Sequence, residues 1–65
     1  MKKRDLVKKL KSMAREAGFE LVFEGGSKHD KYRVNGEMIV VPRHKEINEI
    51  TAQEILKDLA EALGE

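Results

Sequence analysis

The sequence predicts a small α+β domain with the element order α-β-β-β-α, in which two helices cover one face of a three-stranded antiparallel sheet. Three observations predict it: an amphipathic stripe near each end of the chain, an Asn-Gly pair between two extended runs, and glycines that separate the segments. The 65 residues suffice for a single domain, 1–65. Because the chain has no cysteine, its stability depends on an apolar core rather than on disulfides.

The first helix is predicted from Lys3 to Ala17, because apolar residues recur there with helical spacing. These residues are Leu6, Val7, Leu10, Met13, Ala14 and Ala17. Gly18 is expected to end the helix, since glycine readily turns left-handed. The next segment, 19–24, alternates with a period of two and predicts a half-buried strand. Its core-facing residues are expected to be Phe19, Leu21 and Phe23.

A tight β-hairpin is predicted at Asn35-Gly36, because both residues accept the positive φ angles of a type I′ turn. The flanking strands are expected at 28–34 and 37–41. A two-residue loop pairs Val34 with Glu37, which sets the faces of both strands. The core face then carries Tyr32, Val34, Ile39 and Val41. The open face carries His29, Lys31 and Arg33, beside Met38 and Val40.

The last third of the chain predicts a loop followed by a second helix. Pro42 ends the third strand, and the loop 43–50 is expected to be anchored by Ile47 and Ile50. The helix is expected to start near Thr51, because 51–54 has the form of a capping box. Its apolar stripe comprises Ala52, Ile55, Leu56, Leu59, Ala60 and Leu63, and Gly64 ends it.

Charge is distributed unevenly, although the net charge is only +1. Seven basic residues and one acidic residue precede Glu16, whereas eleven acidic and six basic residues follow from there. The basic helix either steers the protein towards polyanions or is simply a solvated surface. No apolar run is long enough to span a membrane, and the basic start lacks a signal-peptide pattern, so we expect a cytoplasmic protein.

His29 is the leading candidate for chemistry, because an imidazole can take and give a proton near neutral pH. Two glycines precede it and allow a backbone or a ligand to approach closely. Three cations that could hold a phosphate are near in sequence: Lys28, Lys31 and Arg33. The residues alone leave two readings open, an acid–base catalyst and an ordinary surface histidine.

A second basic segment, Arg43-His44, follows Pro42 and is expected either to contact phosphate or to lie on the surface. Ser27 is expected to cap a turn or to contact phosphate, since no triad is visible that would make it a nucleophile. Two histidines without ligand spacing do not form a zinc site, so neither a metal nor another cofactor is predicted.

Four segments resemble the HicA family of bacterial mRNA interferase toxins: Gly26-Ser27-Lys28-His29-Asp30-Lys31-Tyr32, Asn35-Gly36, Val41-Pro42-Arg43-His44 and Ile55-Leu56-Lys57-Asp58-Leu59. The resemblance covers nearly the whole chain and implies a double-stranded-RNA-binding-domain-like fold. It also implies a ribosome-independent, metal-independent endoribonuclease that cleaves mRNA and is neutralised by a HicB-type antitoxin. The catalytic histidine of the family falls on His29. The residues expected to bind RNA are Ser27, Lys28, Lys31, Arg33, Arg43 and His44.

Two other functions fit the same layout. One is a non-catalytic RNA-binding module that recognises a duplex through its backbone and 2′-hydroxyl groups. The other is a protein-interaction domain whose interface includes Met38 and Val40 on the open face. RNA cleavage separates the leading hypothesis from both of these.

Overall fold

The computed structural model describes residues 1–64, which fold into two helices and three strands. In chain order these are α1 (Lys3–Glu16), β1 (Val22–Gly25), β2 (His29–Val34), β3 (Glu37–Pro42) and α2 (Glu49–Ala62). The strands form one antiparallel sheet in the order β1-β2-β3. The predicted α+β class and the α-β-β-β-α order are therefore confirmed. Within residues 1–64, no helix has the length and apolar character needed to cross a membrane.

The core lies between the two helices and one face of β2 and β3. Its buried members are Leu6, Leu10, Ala14, Tyr32, Val34, Ile39, Val41, Ile47, Ala52, Ile55, Leu56 and Leu59. Burying one such leucine, isoleucine or valine side chain stabilises the fold by about 2 kcal/mol. The side chains on the other face of β2 and β3 are exposed, so both helices cover the same face and the opposite face is open.

The β2–β3 hairpin has the register that the sequence predicts. Asn35 and Gly36 have φ angles of 49° and 77°, as a type I′ turn requires. Val34 pairs with Glu37, and the pairing continues without interruption to His29 opposite Pro42. The two-residue turn therefore decides which side chains of both strands face the core.

The first strand differs from the prediction. β1 begins at Val22 rather than Phe19, and the Phe19 and Phe23 side chains are 36% and 55% exposed. Phe23 does face the helical side, opposite Tyr32, and its ring lies edge-on to the tyrosine ring at 5.3 Å between centroids. It is exposed because neither helix packs closely over β1, whereas α2 packs on the other edge strand, β3, whose core-facing side chains are buried.

The second helix begins two residues before the predicted start. Asn48 caps it, since the Asn48 side chain accepts a hydrogen bond of 2.8 Å from the Ile50 amide. The capping box predicted at Thr51 is therefore wrong, and so is the anchoring role of Ile50, whose side chain is 73% exposed. Ile47 is buried as predicted, and its amide donates to the Met1 carbonyl at 2.7 Å, which fixes the chain just before the cap.

Candidate functional site

The loop between β1 and β2 folds back over the first residue of β2. Gly25 and Gly26 have φ angles of 82° and 139°, which residues with a side chain rarely adopt. A Cβ atom on Gly26 would lie 2.1 Å from the carbonyl oxygen of His29. The glycine pair therefore permits a close approach, and the group that approaches is the backbone of His29 itself.

His29 is the first residue of β2, and its exposed side chain lies on the open face, opposite Pro42. Within residues 1–64, no hydrogen bond or ion pair engages its imidazole ring. Both ring nitrogens are thus available to solvent or to a ligand. A general acid–base catalyst needs this access, because it must come within hydrogen-bond distance of the proton that it moves.

Lys31 and Arg33 continue along the same face of β2, as the sequence predicts. Their cross-strand partners on β3 are Val40 and Met38, both partly exposed. The Arg33 Nε atom donates to a Glu24 carboxylate oxygen at 3.0 Å, so part of its charge is already compensated. The open face therefore carries one imidazole and two cations in a row along β2, with apolar side chains beside them on β3.

Arg43 does not join this open face. Its guanidinium makes three contacts with the protein: Nε donates to Asp30 Oδ1 at 2.7 Å, Nη1 donates to the Ser27 carbonyl at 3.2 Å, and Nη2 donates to the Gly26 carbonyl. The side chain nevertheless stays 45% exposed. Arg43 is therefore engaged with the loop that precedes His29.

Asp30 is the residue of this region that the sequence analysis missed. Its side chain is only 14% exposed, and its second oxygen accepts a hydrogen bond from the Lys3 ammonium group. The hydrogen bonds from Lys3 and, next, from Arg43 hold the pKa of the Asp30 carboxyl below its ordinary value. A signal existed: the hairpin register places this acid on the core face, where a charge requires partners.

The other predicted site residues lie on two sides of the molecule. Ser27 and Lys28 are exposed in the loop before His29. His44 instead lines an open cleft of about 670 Å³ next to the start of α1. The other residues around this cleft are Lys2, Lys3, Arg4, Arg43, Lys45 and Glu46, and His29 lies outside it. The structure therefore does not bring the two histidines into one pocket.

A basic surface continues from this cleft along α1. A second groove lies between the helix and β2, and it shares Lys3 and Arg4 with the cleft. Its further lining residues are Val7, Lys8, Lys11, Asp30 and Tyr32. The positive charge of the N-terminal segment thus lies on the helical side of the molecule, opposite the open face.

Comparison with known families supplies the decisive observation. The family model of the HicA toxin of bacterial toxin–antitoxin systems matches residues 4–60. The chain belongs to the HicA toxin family. The match runs from the first turn of α1 into α2, so it includes the glycine loop, His29 and the whole sheet. No curated protein and no solved structure matches the chain.

Membership in this family means that the protein is a toxin of a toxin–antitoxin system, and such a system implies an antitoxin as partner. The resemblance predicted from the sequence segments is confirmed at the level of the family. The family match by itself assigns no role to an individual residue of the site.

Proposed function

We propose that this HicA toxin is a ribosome-independent endoribonuclease that cleaves mRNA in the cytoplasm, with His29 as its general acid–base catalyst. The observation that carries the proposal is the position of His29 in a chain that the HicA toxin family matches from 4 to 60. Its ring is exposed, has no partner within residues 1–64 and stands in line with two cations on the open face. An extended single strand of RNA can lie along such a face.

The proposed reaction begins when His29 removes a proton from a nucleophile, either a ribose 2′-hydroxyl or a water molecule. The new bond forms between the nucleophile's oxygen and phosphorus, and the bond from phosphorus to the 5′-oxygen breaks. The leaving oxygen takes up a proton, which the imidazolium can return. Such proton transfer contributes about 10²- to 10⁴-fold to a rate.

Cations on the open face and in the loop before His29 would hold the phosphates on either side of the cleaved bond. Lys28 and Lys31 form no ion pair within residues 1–64, so their charge is available to the backbone of the RNA. Arg33 is expected to contribute less, because it already binds Glu24. The Ser27 hydroxyl lies in the exposed loop, where it can donate to a phosphate oxygen.

The roles of Arg43 and His44 are proposed to be secondary. Arg43 uses three of its five N–H groups within the protein, which leaves two that can face a phosphate. His44 opens onto the cleft beside α1 and would contact RNA that extends beyond the open face. Catalysis through His29 needs no metal ion, so we expect cleavage to continue in the presence of a chelator.

The antitoxin partner is proposed to be of the HicB type and to cover the open face. Three apolar side chains on this face are 39–46% exposed: Val22, Met38 and Val40. They alternate with Lys31 and Arg33, so the face suits a partner that offers apolar and acidic groups. An antitoxin bound there would bury His29 and exclude RNA.

The test compares the native chain with His29→Ala in the cleavage of a defined RNA in the presence of EDTA. We expect the variant to lose at least about 100-fold in cleavage rate. Lys57→Ala, at an exposed position of α2, serves as the control and should cleave at the native rate. His44→Ala tests the second histidine and should lose much less than His29→Ala.

Expression in a bacterial host provides the second half of this test. The native chain should arrest growth and degrade mRNA, whereas the His29→Ala variant should do neither. Undiminished cleavage by purified His29→Ala would rule out the assignment of His29.

A non-catalytic RNA-binding module is the alternative, and the basic groove along α1 favours it, because this groove lies away from His29. Such a module would bind RNA with an affinity that falls steeply with salt, and it would release no product. Binding without cleavage by the native chain would support this alternative.

A further inference from the structure

We propose that Arg43 is a positioning residue: with Asp30, it holds the two chain segments on either side of His29 and so fixes the place of the imidazole. This inference rests on the proposed role of His29. It assigns to Arg43 a task different from phosphate binding, and it gives Asp30 a task for the first time.

The geometry of the guanidinium carries the inference. Its three contacts are to the Gly26 and Ser27 carbonyls, which precede His29, and to the carboxylate of Asp30, which follows it. One planar group thus connects the loop with the strand. A guanidinium suits this task because its N–H groups form a rigid fork that serves several acceptors at once.

The close contact between Gly26 and the His29 carbonyl links the position of the loop to the backbone of His29. The α-carbon of Gly26 packs so closely on the His29 carbonyl that a Cβ atom would clash with it. A shift of the loop would therefore move the start of β2. Holding Gly26 in place keeps His29 at the position from which its ring projects onto the open face.

Lys3 anchors the other side of this arrangement. It donates to Asp30 Oδ2, while Arg43 donates to Oδ1, so each carboxylate oxygen serves a different cation. Lys3 is the first residue of α1, and its amide also donates to the Lys45 carbonyl at 2.8 Å. The carboxylate of Asp30 is thus held against the helix, and it in turn orients Arg43.

Replacing arginine with lysine separates the positioning role from phosphate binding. Lysine retains the positive charge, but its three N–H groups share one nitrogen, which cannot take the positions of the three guanidinium nitrogens that each contact a different acceptor. A residue that only attracts phosphate tolerates this change, because Coulomb attraction depends on charge. A residue that holds the loop does not tolerate it.

The experiment measures kcat, KM and thermal unfolding for Arg43→Lys with a short RNA substrate. We expect kcat to fall about tenfold or more with KM within twofold of the native value, because a displaced catalyst weakens the chemical step. Arg15→Lys is the matched control: Arg15 is exposed in the last turn of α1, far along the chain from this region, and should keep both constants. Native kcat in Arg43→Lys, or a rise in KM alone, overturns the proposal.

Asp30→Asn is the second variant, and it tests the proposal even if Arg43→Lys does not fold. Its amide oxygen can still accept from Arg43, but without the charge that strengthens both contacts. We expect an intermediate loss of kcat, again with little change in KM. A native kcat in this variant would contradict the role of Asp30.

Nuclear magnetic resonance distinguishes a failure of this proposal from a failure of the proposed function. In Arg43→Lys, the ring signals of His29 should shift, as should the amide signals of Ser27 and Lys28, whose peptide groups contain the two carbonyls that Arg43 contacts. Arg15→Lys should leave them unchanged. If the native protein does not cleave RNA, the proposed function fails, but these signals still decide whether Arg43 holds the loop; unchanged signals would reject it.

Discussion

The two ends of the β2–β3 hairpin are held in different ways. At one end, Asn35 and Gly36 close the strands with a turn that needs only their own backbone preferences. A hydrogen bond to α2 is added there, from the Asn35 side chain to the Ala62 carbonyl at 2.9 Å. At the other end, His29 lies opposite Pro42, and no tight turn connects the strands.

The second end is held by side chains that are distant in sequence. Arg43 and Asp30 are 13 residues apart, and Lys3 and Asp30 are 27 residues apart. The turn sets the register and thus the faces of both strands, whereas long-range contacts hold the end of the hairpin at which His29 lies. In the proposed enzyme, the end that depends on long-range contacts is the one that carries the chemistry.

The largest loss of stability and activity is expected from Gly26→Ala, at the end of the hairpin that carries His29. The new Cβ atom would meet the His29 carbonyl at 2.1 Å, in addition to the cost of the positive φ angle. We expect a loss of about 3 kcal/mol in the free energy of unfolding, together with most of the cleavage activity. Urea denaturation and RNA cleavage measure the two losses.

Gly25→Ala is the matched control for this variant. Its φ angle is also positive, but a Cβ atom there would have no neighbour within 4 Å. It should therefore show the cost of the backbone conformation alone, about 1–2 kcal/mol. Equal losses in the two variants would mean that the close approach to His29 does not matter.

A smaller effect is expected from Gly36→Ala at the turn end. Gly36 has a φ angle of 77° and open space around it, so the cost is conformational and should be about 1–2 kcal/mol of unfolding free energy. Cleavage per folded molecule should stay at the native level, because the turn is remote from His29. A loss of kcat in the folded variant would show that the two ends of the hairpin are coupled.

The smallest effect is expected from Asp30→Asn, and it concerns how the stability of the protein changes with pH. The folded protein holds the Asp30 pKa below its ordinary value of 3.8, so the carboxylate stabilises the fold above that pH. This contribution is lost as the pH falls through the lowered pKa, because protonation weakens both cation contacts. Urea midpoints between pH 6 and pH 2 should therefore decrease less in Asp30→Asn than in the native chain. Parallel curves for the two proteins would contradict the assignment.

Local patterns predicted most of the fold. The spacing of Leu6 and Leu10 indicated α1, and Asn35-Gly36 indicated both the hairpin and its faces, since these signals depend on neighbouring residues only. The alternation of 19–24 predicted a half-buried strand, but burial depends on what covers a strand, and neither helix packs closely over β1. The capping box predicted at Thr51 was wrong, because the helix begins earlier and Asn48 caps it.

The candidate site was predicted in part. The positions of His29, Lys31 and Arg33 on the open face followed from the register of the hairpin. The hydrogen bonds of Arg43 did not, because they require the β1–β2 loop to bring the Gly26 and Ser27 carbonyls next to a residue that follows β3. The ion pairs of Asp30 could not be predicted either, since Lys3 reaches Asp30 only once α1 packs on the sheet.

The element order, the hairpin register and the face on which His29 lies could all be predicted from the sequence, because short-range preferences of a few residues decide each of these. The surroundings of His29 depend on how the folded chain packs. The contacts among Lys3, Asp30 and Arg43 join three separate segments of the chain, and hydrogen bonds of this kind form only where packing brings the segments within about 3 Å of one another.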